Sequence, residues 1–260
     1  MPKPRCTIAT LFVLLSVLAT VPVAAQTSGS DRMFLAFVED AAIVETQWWE
    51  AQVELSESDF VDAFIIRGVA AIEIRDKVEV GGRVGFGSTD TPGLLPDGSG
   101  ATDLDVWGKF QFGSRGDNEF AVGGIATIPT GDNTAGLGVD AFSLGAFGAV
   151  RHRLPRAIVN AHAGVRLNGD AEFLGGPEIN GKSSLILGGG MIHPLSDRVT
   201  VVGEFKFESK RFDGGDSDTR ILGGINWRPS NRGMIRGALS IGLTDGSPDF
   251  QLFGGYAFFF

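Results

Sequence analysis

The sequence contains very little cysteine, tyrosine or histidine. Among 260 residues there are one cysteine, one tyrosine and three histidines. The cysteine, Cys6, precedes the apolar part of an N-terminal leader, so we expect the mature chain to contain none. A chain without cysteine cannot form disulfides, use thiol chemistry or ligate a metal through sulfur.

Long apolar runs are also missing after the N-terminus. No later stretch reaches the roughly 18 consecutive apolar residues that a membrane-spanning helix needs. Residues 1–25 form a predicted signal peptide, because basic Lys3 and Arg5 precede a short apolar run (residues 11–18) and Val23-Ala24-Ala25 offers small side chains for cleavage. The leader therefore predicts export, and a membrane anchor is the less favoured alternative.

Positive charge is scarce as well. The chain has 22 Lys and Arg residues against 31 Asp and Glu residues, which gives a net charge of -9, and removal of the leader would make it more acidic. This balance argues against nucleic acid as a partner and is compatible with a lipopolysaccharide surface. The acidic stretch 213–218 lacks the spacing and the closing glutamate of a calcium loop, so we predict no metal and no cofactor.

What the sequence has in abundance is glycine, with 38 residues, and phenylalanine, with 20. From about residue 43 onward, strand-length segments of alternating polarity are separated by turn residues. About twelve such segments lie near residues 44–55, 62–74, 77–88, 103–113, 119–128, 140–150, 156–168, 183–193, 199–209, 219–229, 233–244 and 250–260. Their length of about ten residues suits tilted transmembrane β-strands.

The two faces of these segments differ in polarity. In segment 199–209 one face carries Val201, Gly203, Phe205 and Phe207, and the other carries Glu204, Lys206 and Glu208. An apolar exterior and a polar interior predict an all-β fold, an antiparallel transmembrane β-barrel of about 12 strands. A soluble β-sandwich produces the same alternation and is the alternative.

The connections between segments alternate between short and long. Short links fall near residues 75–77, 114–117, 152–155, 194–197 and 229–232, and longer glycine- and acid-rich loops near 88–102, 129–138, 168–181 and 209–218. Barrels of the bacterial outer membrane have short periplasmic turns and longer external loops, so we expect both termini in the periplasm. Residues 43–260 are then the barrel, and residues 26–42 are either a periplasmic N-terminal extension or a short plug.

The C-terminal segment ends in aromatic residues. Tyr256, Phe258 and Phe260 share one face with apolar neighbours, which suits contact with lipid at the headgroup level. We predict that these three form the signal that the barrel-assembly machinery recognises. Trp48 and Trp49 lie near the same predicted interface, where an aromatic girdle is expected.

Charges of both signs fall on the predicted inner face. The candidate pore-lining residues are Arg67, Glu79, Arg83, Asp105, Lys109, His162, Arg166, Glu204, Lys206, Arg220 and Arg236. A barrel of about twelve strands lies between small filled barrels and wide porins. The charges could therefore pair into a sealed lattice or line a narrow polar path, and both alternatives stay open at this point.

Catalysis has little support in the sequence. A Ser–His hydrolase needs a serine beside a histidine that an acid or amide orients. His162 faces inward near Arg166, and no serine is placed beside it with such support. We therefore predict that the chain is not an enzyme and has no catalytic residues; a lipid-modifying enzyme is the least favoured alternative.

Two blocks of sequence carry a resemblance to a known family. One block runs from Ile128-Pro-Thr-Gly-Asp132 through Gly138 and Asp140 to residues 161–170, and the other is residues 241–249 with the terminal strand. From about residue 45 to its end the chain resembles the outer-membrane β-barrel family labelled as transporters of the meta-pathway of phenol degradation. The resemblance implies transport of small aromatic compounds and supplies no catalytic residues. Trp107 and Phe253 are the aromatic residues expected inside.

We therefore expect an outer-membrane barrel that acts as a passive channel for small molecules, with outer-membrane lipid as its surroundings and a small solute as its cargo. A sealed structural or surface-interaction barrel is the alternative.

Overall fold

The described residues form one sheet of thirteen strands. A computed structural model describes residues 34–44, 47–58, 61–90, 97–174 and 176–259; the leader and Phe260 lie outside these residues. The strands are β1 (Gln47–Glu57), β2 (Asp62–Arg75), β3 (Val78–Asp90), β4 (Gly98–Ala101), β5 (Leu104–Arg115), β6 (Asn118–Ile128), β7 (Ser143–Leu154), β8 (Ala157–Asn168), β9 (Ser183–Pro194), β10 (Val199–Glu208), β11 (Asp218–Ser230), β12 (Gly233–Gly242) and β13 (Phe250–Phe259). In these ranges no helix is long and apolar enough to cross a membrane.

Twelve long strands close into a ring. β1 pairs with β13 from Trp48↔Phe259 to Glu57↔Phe250 and with β2 on its other side, and β2 pairs with β3. Every neighbouring pair is antiparallel, and each long strand follows its predecessor around the ring. Within the described residues, each of the twelve long strands is therefore paired on both sides, which is a requirement for a sheet in lipid. The predicted antiparallel barrel of about twelve strands is confirmed.

β4 is the one strand that the sequence did not predict. The stretch 88–102 was expected to be a loop, but residues 98–101 pair with the end of β3 from Phe86↔Ala101 to Thr89↔Gly98. β5 pairs with the earlier part of β3, from Val78 to Arg83. β3 therefore extends beyond the ring, and β4 covers the part of its edge that β5 does not reach.

The two ends of the barrel differ. At the turn end, connections are short: two residues (76–77) join β2 to β3, and two residues (116–117) join β5 to β6. At the loop end, the connections 129–142, 169–182 and 209–217 are longer. β1 begins and β13 finishes at the turn end, so the predicted alternation of short and long connections matches the structure.

Apolar side chains cover the outside of the ring. Ile66, Phe86, Phe112, Val165 and Phe258 are among many large hydrophobic side chains that are about half exposed. A surface of this kind all around a closed barrel is unfavourable in water and is matched by lipid. The sandwich alternative therefore fails, because there is one closed sheet and its exposed face is the apolar one.

The predicted aromatic girdle is wrong for Trp48. Only Trp49 points outward, with 51% of its surface exposed, whereas Trp48 is 1% exposed. Trp48 stacks on Phe259 at a ring-centroid distance of 5.8 Å, and Arg236 lies over its ring. Adjacent residues of a strand point to opposite faces, so two consecutive tryptophans cannot both meet lipid.

Candidate functional site: the barrel lumen

A stretch of chain before β1 lies against the inner wall of the barrel. We call residues 34–44 the inner segment. Its strongest attachment is Glu204 of β10, a buried carboxylate that accepts hydrogen bonds from the backbone N–H groups of Leu35, Phe37 (2.6 Å), Ala36 (3.3 Å) and Val38 (3.1 Å). Hydrogen bonds to an ionised acceptor are about twice as strong as neutral ones. One side chain thus holds four consecutive residues of the inner segment.

A second attachment lies at the C-terminal end of the inner segment. Glu79 of β3 accepts a hydrogen bond from the backbone N–H of Val44 at 2.9 Å and another from the indole N–H of Trp107 at 2.9 Å. Lys109 of β5 donates to the carbonyl of Ala42 at 2.5 Å and pairs with Glu79 at 3.4 Å. Glu79 and Lys109 are both buried, so this ion pair belongs to the packing between wall and segment.

The middle of the inner segment is held by β7 and β8. Asp40 pairs with the fully buried guanidinium of Arg151 at 2.8 Å. Asn160 uses both ends of its amide: Oδ1 accepts from the N–H of Ala41 at 3.2 Å, and Nδ2 donates to the carbonyl of Glu39 at 3.0 Å. A buried amide that is satisfied on both sides fixes the register of the segment.

The start of the inner segment is attached to β12. Arg236 donates to the carbonyl of Phe34, to Glu50 of β1 at 2.5 Å and to Asn226 of β11 at 3.3 Å. The attachments therefore follow the inner wall from β12 through β10, β8 and β7 to β5 and β3. The turn-end part of the lumen is occupied by polypeptide.

Glycines in the wall make room for this polypeptide. A side chain at Gly190 would overlap the ring of Phe34, and one at Gly224 would overlap Leu35. A side chain at Gly188 would likewise overlap the ring of His162. The imidazole Nδ1 of His162 accepts a hydrogen bond from the backbone N–H of Glu39 at 3.2 Å. These glycines are needed for close approach within the lumen, as expected for strand glycines next to another backbone.

An open cavity of about 710 Å³ lies on the other side of the inner segment, toward the loop end. Phe34–Glu39 form one part of its lining, and ion pairs on the barrel wall form another. Arg83 contacts Asp105 at 2.7 Å, and Arg67 pairs with Glu54. Paired charges that face a cavity of this size keep it polar and able to hold water.

One acid in this cavity wall is surrounded by cations. Glu208 at the end of β10 lies 2.8 Å from Arg166, 3.0 Å from Lys206 and 3.7 Å from Arg211. Arg211 belongs to the loop after β10, where burial lowers the pKa of its guanidinium and repulsion from Arg166 adds to the shift. Neighbouring Asp218 contacts Lys206 at 2.9 Å.

The loop that follows β6 is anchored over the same cavity. The carboxylate of Asp103 accepts hydrogen bonds from the backbone N–H groups of Gly131 (3.0 Å) and Val139 (3.3 Å), while burial raises the pKa of Asp103. Side chains at Gly131 or Gly138 would overlap each other's backbone or Asp103. The sequence motif at residues 128–132 and 138–140 thus has a structural reason. The two ends of the loop lie against each other, and Asp103 binds both.

The predicted pore-lining residues fall into two groups. The residues that line the open cavity are Arg67, Arg83, Asp105, Arg166, Lys206 and Arg220. The residues that contact the inner segment are Glu79, Lys109, His162, Glu204 and Arg236, of which Arg236 also reaches the edge of the cavity. Conduction along either group stays a prediction.

Sequence reasoning missed several residues of the lumen. Arg211 and Asp40 lie outside the strands, where no alternation of polarity could place them. Phe37 of the inner segment lies in the cavity wall against Phe253, at 6.2 Å between ring centroids, and under Arg220 at 5.5 Å. Only the acidic and aromatic composition of residues 34–44 hinted at contacts of this kind.

Two of the three residues of the predicted assembly signal, Tyr256 and Phe258, lie within the described residues. Phe258 is 47% exposed on the outer face, and its ring lies 4.5 Å from that of Tyr256. Phe260 lies outside the described residues. The role of these aromatic residues in assembly stays a prediction.

Comparison with known proteins shows the fold. No protein-family model matches the chain, and neither does any curated protein. Among solved structures, the COG4313 outer membrane channel from Pseudomonas putida F1 is similar with a TM-score of 0.68 at 15% identity, over 82% of this chain and 95% of that one.

Two porins share the architecture more distantly. The NanC porin has a TM-score of 0.59 and the KdgM porin in complex with disordered oligogalacturonate one of 0.58; each is 8% identical over 82% of this chain and at least 99% of the porin. The chain thus has the fold of outer-membrane channels, and its apolar outer belt matches a barrel surrounded by lipid.

Proposed function

We propose that this barrel is a passive outer-membrane channel for small solutes and that the inner segment constricts it. The observation that carries the proposal is the open cavity of about 710 Å³ inside a closed barrel, walled by ionised side chains and bounded on one side by residues 34–39. Solutes would diffuse through the polar lumen, with the loops limiting entry. The fold shared with outer-membrane channels supports this function.

The orientation of the barrel in the membrane follows from the lengths of its connections. The turn end, where β1 begins and β13 finishes, would face the periplasm, because short turns lie on that side in barrels of this type. Residues 26–42 are then a short plug whose described part occupies the periplasmic half of the lumen, and residues 1–25 are the leader that directs export.

The proposed class of solute rests on two features. The family resemblance implies small aromatic compounds, and the rings of Phe37 and Phe253 lie in the cavity lining. The ion pairs along the same cavity favour solutes that also tolerate a polar path. We therefore propose small molecules with both apolar and polar parts.

The alternative is a sealed barrel that acts through its surface. The buried attachments of the inner segment favour this alternative, because Glu204, Glu79 and Arg151 would lose their partners if the segment left. A sealed barrel and a constricted channel differ in one measurable property, which is conductance.

Single-channel recording in planar bilayers separates the two. We expect the wild-type protein to give small conductance steps and a deletion of residues 34–43 to give steps several-fold larger, because the polypeptide in the lumen is gone. A barrel whose gel migration and circular dichroism show correct folding, but which is silent in both forms, would refute the channel.

A further inference from the structure

Charge is unevenly distributed around the cavity. On the wall made by β1, β2, β3 and β5, each of two arginines has its own acid: Arg67 with Glu54 and Arg83 with Asp105. The opposite wall, made by β8, β10, β11 and the loop after β10, has four cations for three carboxylates. These seven residues are Arg166, Lys206, Arg211, Arg220, Glu208, Asp216 and Asp218. We call them the basic wall.

The acid and the cations of the basic wall also differ in their exposure to the cavity. The side chain of Glu208 is 2% exposed, whereas those of Arg166, Lys206 and Arg211 are 17%, 19% and 30% exposed, and all four residues line the cavity. The acid therefore lies behind the cations and holds them, while their outer N–H groups face the open space. Guanidinium and ammonium groups arranged in this way can share donors with a further anion.

We propose that the basic wall is a binding site for small organic acids, whose carboxylate is held by Arg166, Lys206 and Arg211. This proposal deepens the channel function and rests on it for its purpose, since the site would select solutes within the lumen. Phe37 and Phe253 in the same lining offer apolar contact to the carbon part of such a solute. That contact favours an organic acid over inorganic phosphate.

Five further acids line the cavity outside the basic wall, namely Glu39, Glu50, Glu54, Asp103 and Asp105. Glu50 pairs with Arg236, Glu54 pairs with Arg67, and Glu39 lies near Arg83. Asp105 already binds Arg83 and accepts from the hydroxyl of Thr127 at 2.6 Å. Asp103 accepts from backbone N–H groups of the loop after β6. Both lie close enough to Arg211 to attract it, so they reduce the affinity of the site without occupying its donors.

Isothermal titration of the full-length protein in detergent with succinate, at low ionic strength, tests the site. We expect Arg166→Gln to weaken succinate binding about tenfold, since a hydrogen bond between charged groups is lost. Glu208→Gln should strengthen it several-fold, because a competing negative charge is removed while the side-chain shape is kept. Lys182→Gln is the matched control, as Lys182 is a loop-end cation outside the cavity lining, and should leave binding unchanged.

Three outcomes overturn the site: no succinate binding to the folded wild-type protein, equal weakening by Arg166→Gln and Lys182→Gln, or weaker binding in Glu208→Gln. Inorganic phosphate that binds as tightly as succinate would contradict the organic-acid class. Binding in detergent does not depend on conduction. A protein that binds succinate but is silent in bilayers refutes the channel alone, and one that conducts without binding refutes this site alone.

Discussion

The two halves of the lumen contain similar charges and use them differently. At the turn end, Lys109 and Arg236 are 4% exposed, because the inner segment covers them. At the loop end, Arg83 and Arg211 face an open cavity, with 44% and 30% of their side-chain surfaces exposed. The strands supply inward charges along the whole barrel, and the inner segment decides whether a charge is buried against polypeptide or faces the open cavity.

The largest effect that tests this contrast is expected at Glu204. In Glu204→Ala the N–H groups of residues 35–38 lose their shared acceptor, which should make docking of the inner segment less favourable by about 2–4 kcal/mol. Proteolysis within the segment should become faster, and conductance should rise. Arg67→Ala, which removes a charge from the open half, should leave proteolysis at the wild-type rate; equal protection of the segment in both variants would contradict the role of Glu204.

A steric change in the wall should have the next largest effect. Gly190→Ala places a methyl group where the ring of Phe34 lies, and overpacking of this kind costs about 1–3 kcal/mol. Hydrogen exchange at residues 34–38 should speed up accordingly. Gly203→Ala is the control, because a side chain there meets nothing within 4 Å. Identical exchange rates in the two variants would show that the glycines are not needed for close approach.

Charge changes in the open half should alter selectivity more than stability. Arg83→Gln leaves Asp105 without its cation and should move the reversal potential in a salt gradient toward cation preference, and Asp105→Asn should move it the other way. The free energy of unfolding should change by less than about 1 kcal/mol for Arg83→Gln, because pairs with an exposed member contribute little. Shifts of the same sign in the two variants would exclude a conducting path along this wall.

The smallest effect is expected outside the lumen. Lys182 pairs with Asp213 on the loop surface, where the two side chains are 49% and 46% exposed. Lys182→Gln should leave the melting temperature of the barrel equal to that of the wild type, because solvent screens exposed ion pairs. A clear drop in the melting temperature would mean that the loops, and not the lumen, hold the barrel together.

Much of the fold could be predicted because a strand repeats its environment every second residue. The segment predicted near 62–74 is β2, Asp62–Arg75, and the one near 199–209 is β10, Val199–Glu208. Alternation also placed Glu204 and Lys206 on the inner face. β4 was missed because a stretch of four residues is too short for a period of two to stand out.

The site was harder to predict because half of it lies outside the strands. Residues 26–42 allowed either an extension or a plug, since a peptide without periodicity carries no signal of the wall it contacts. Arg211 was missed for the same reason, although it lies beside Glu208. Trp48 was assigned to lipid from its residue type, whereas its place in the pleat turns it inward.

The sequence by itself determined strands with one apolar and one charged face and two unlike sets of connections, because these follow from period-two alternation and from the lengths of the links. Only the tertiary structure decided which interior charges are covered. Glu204 and Glu208 are four residues apart on one face of β10, yet one binds the backbone of the inner segment and the other holds cations toward an open cavity. That difference depends on contacts across the lumen, which no local pattern in the chain records.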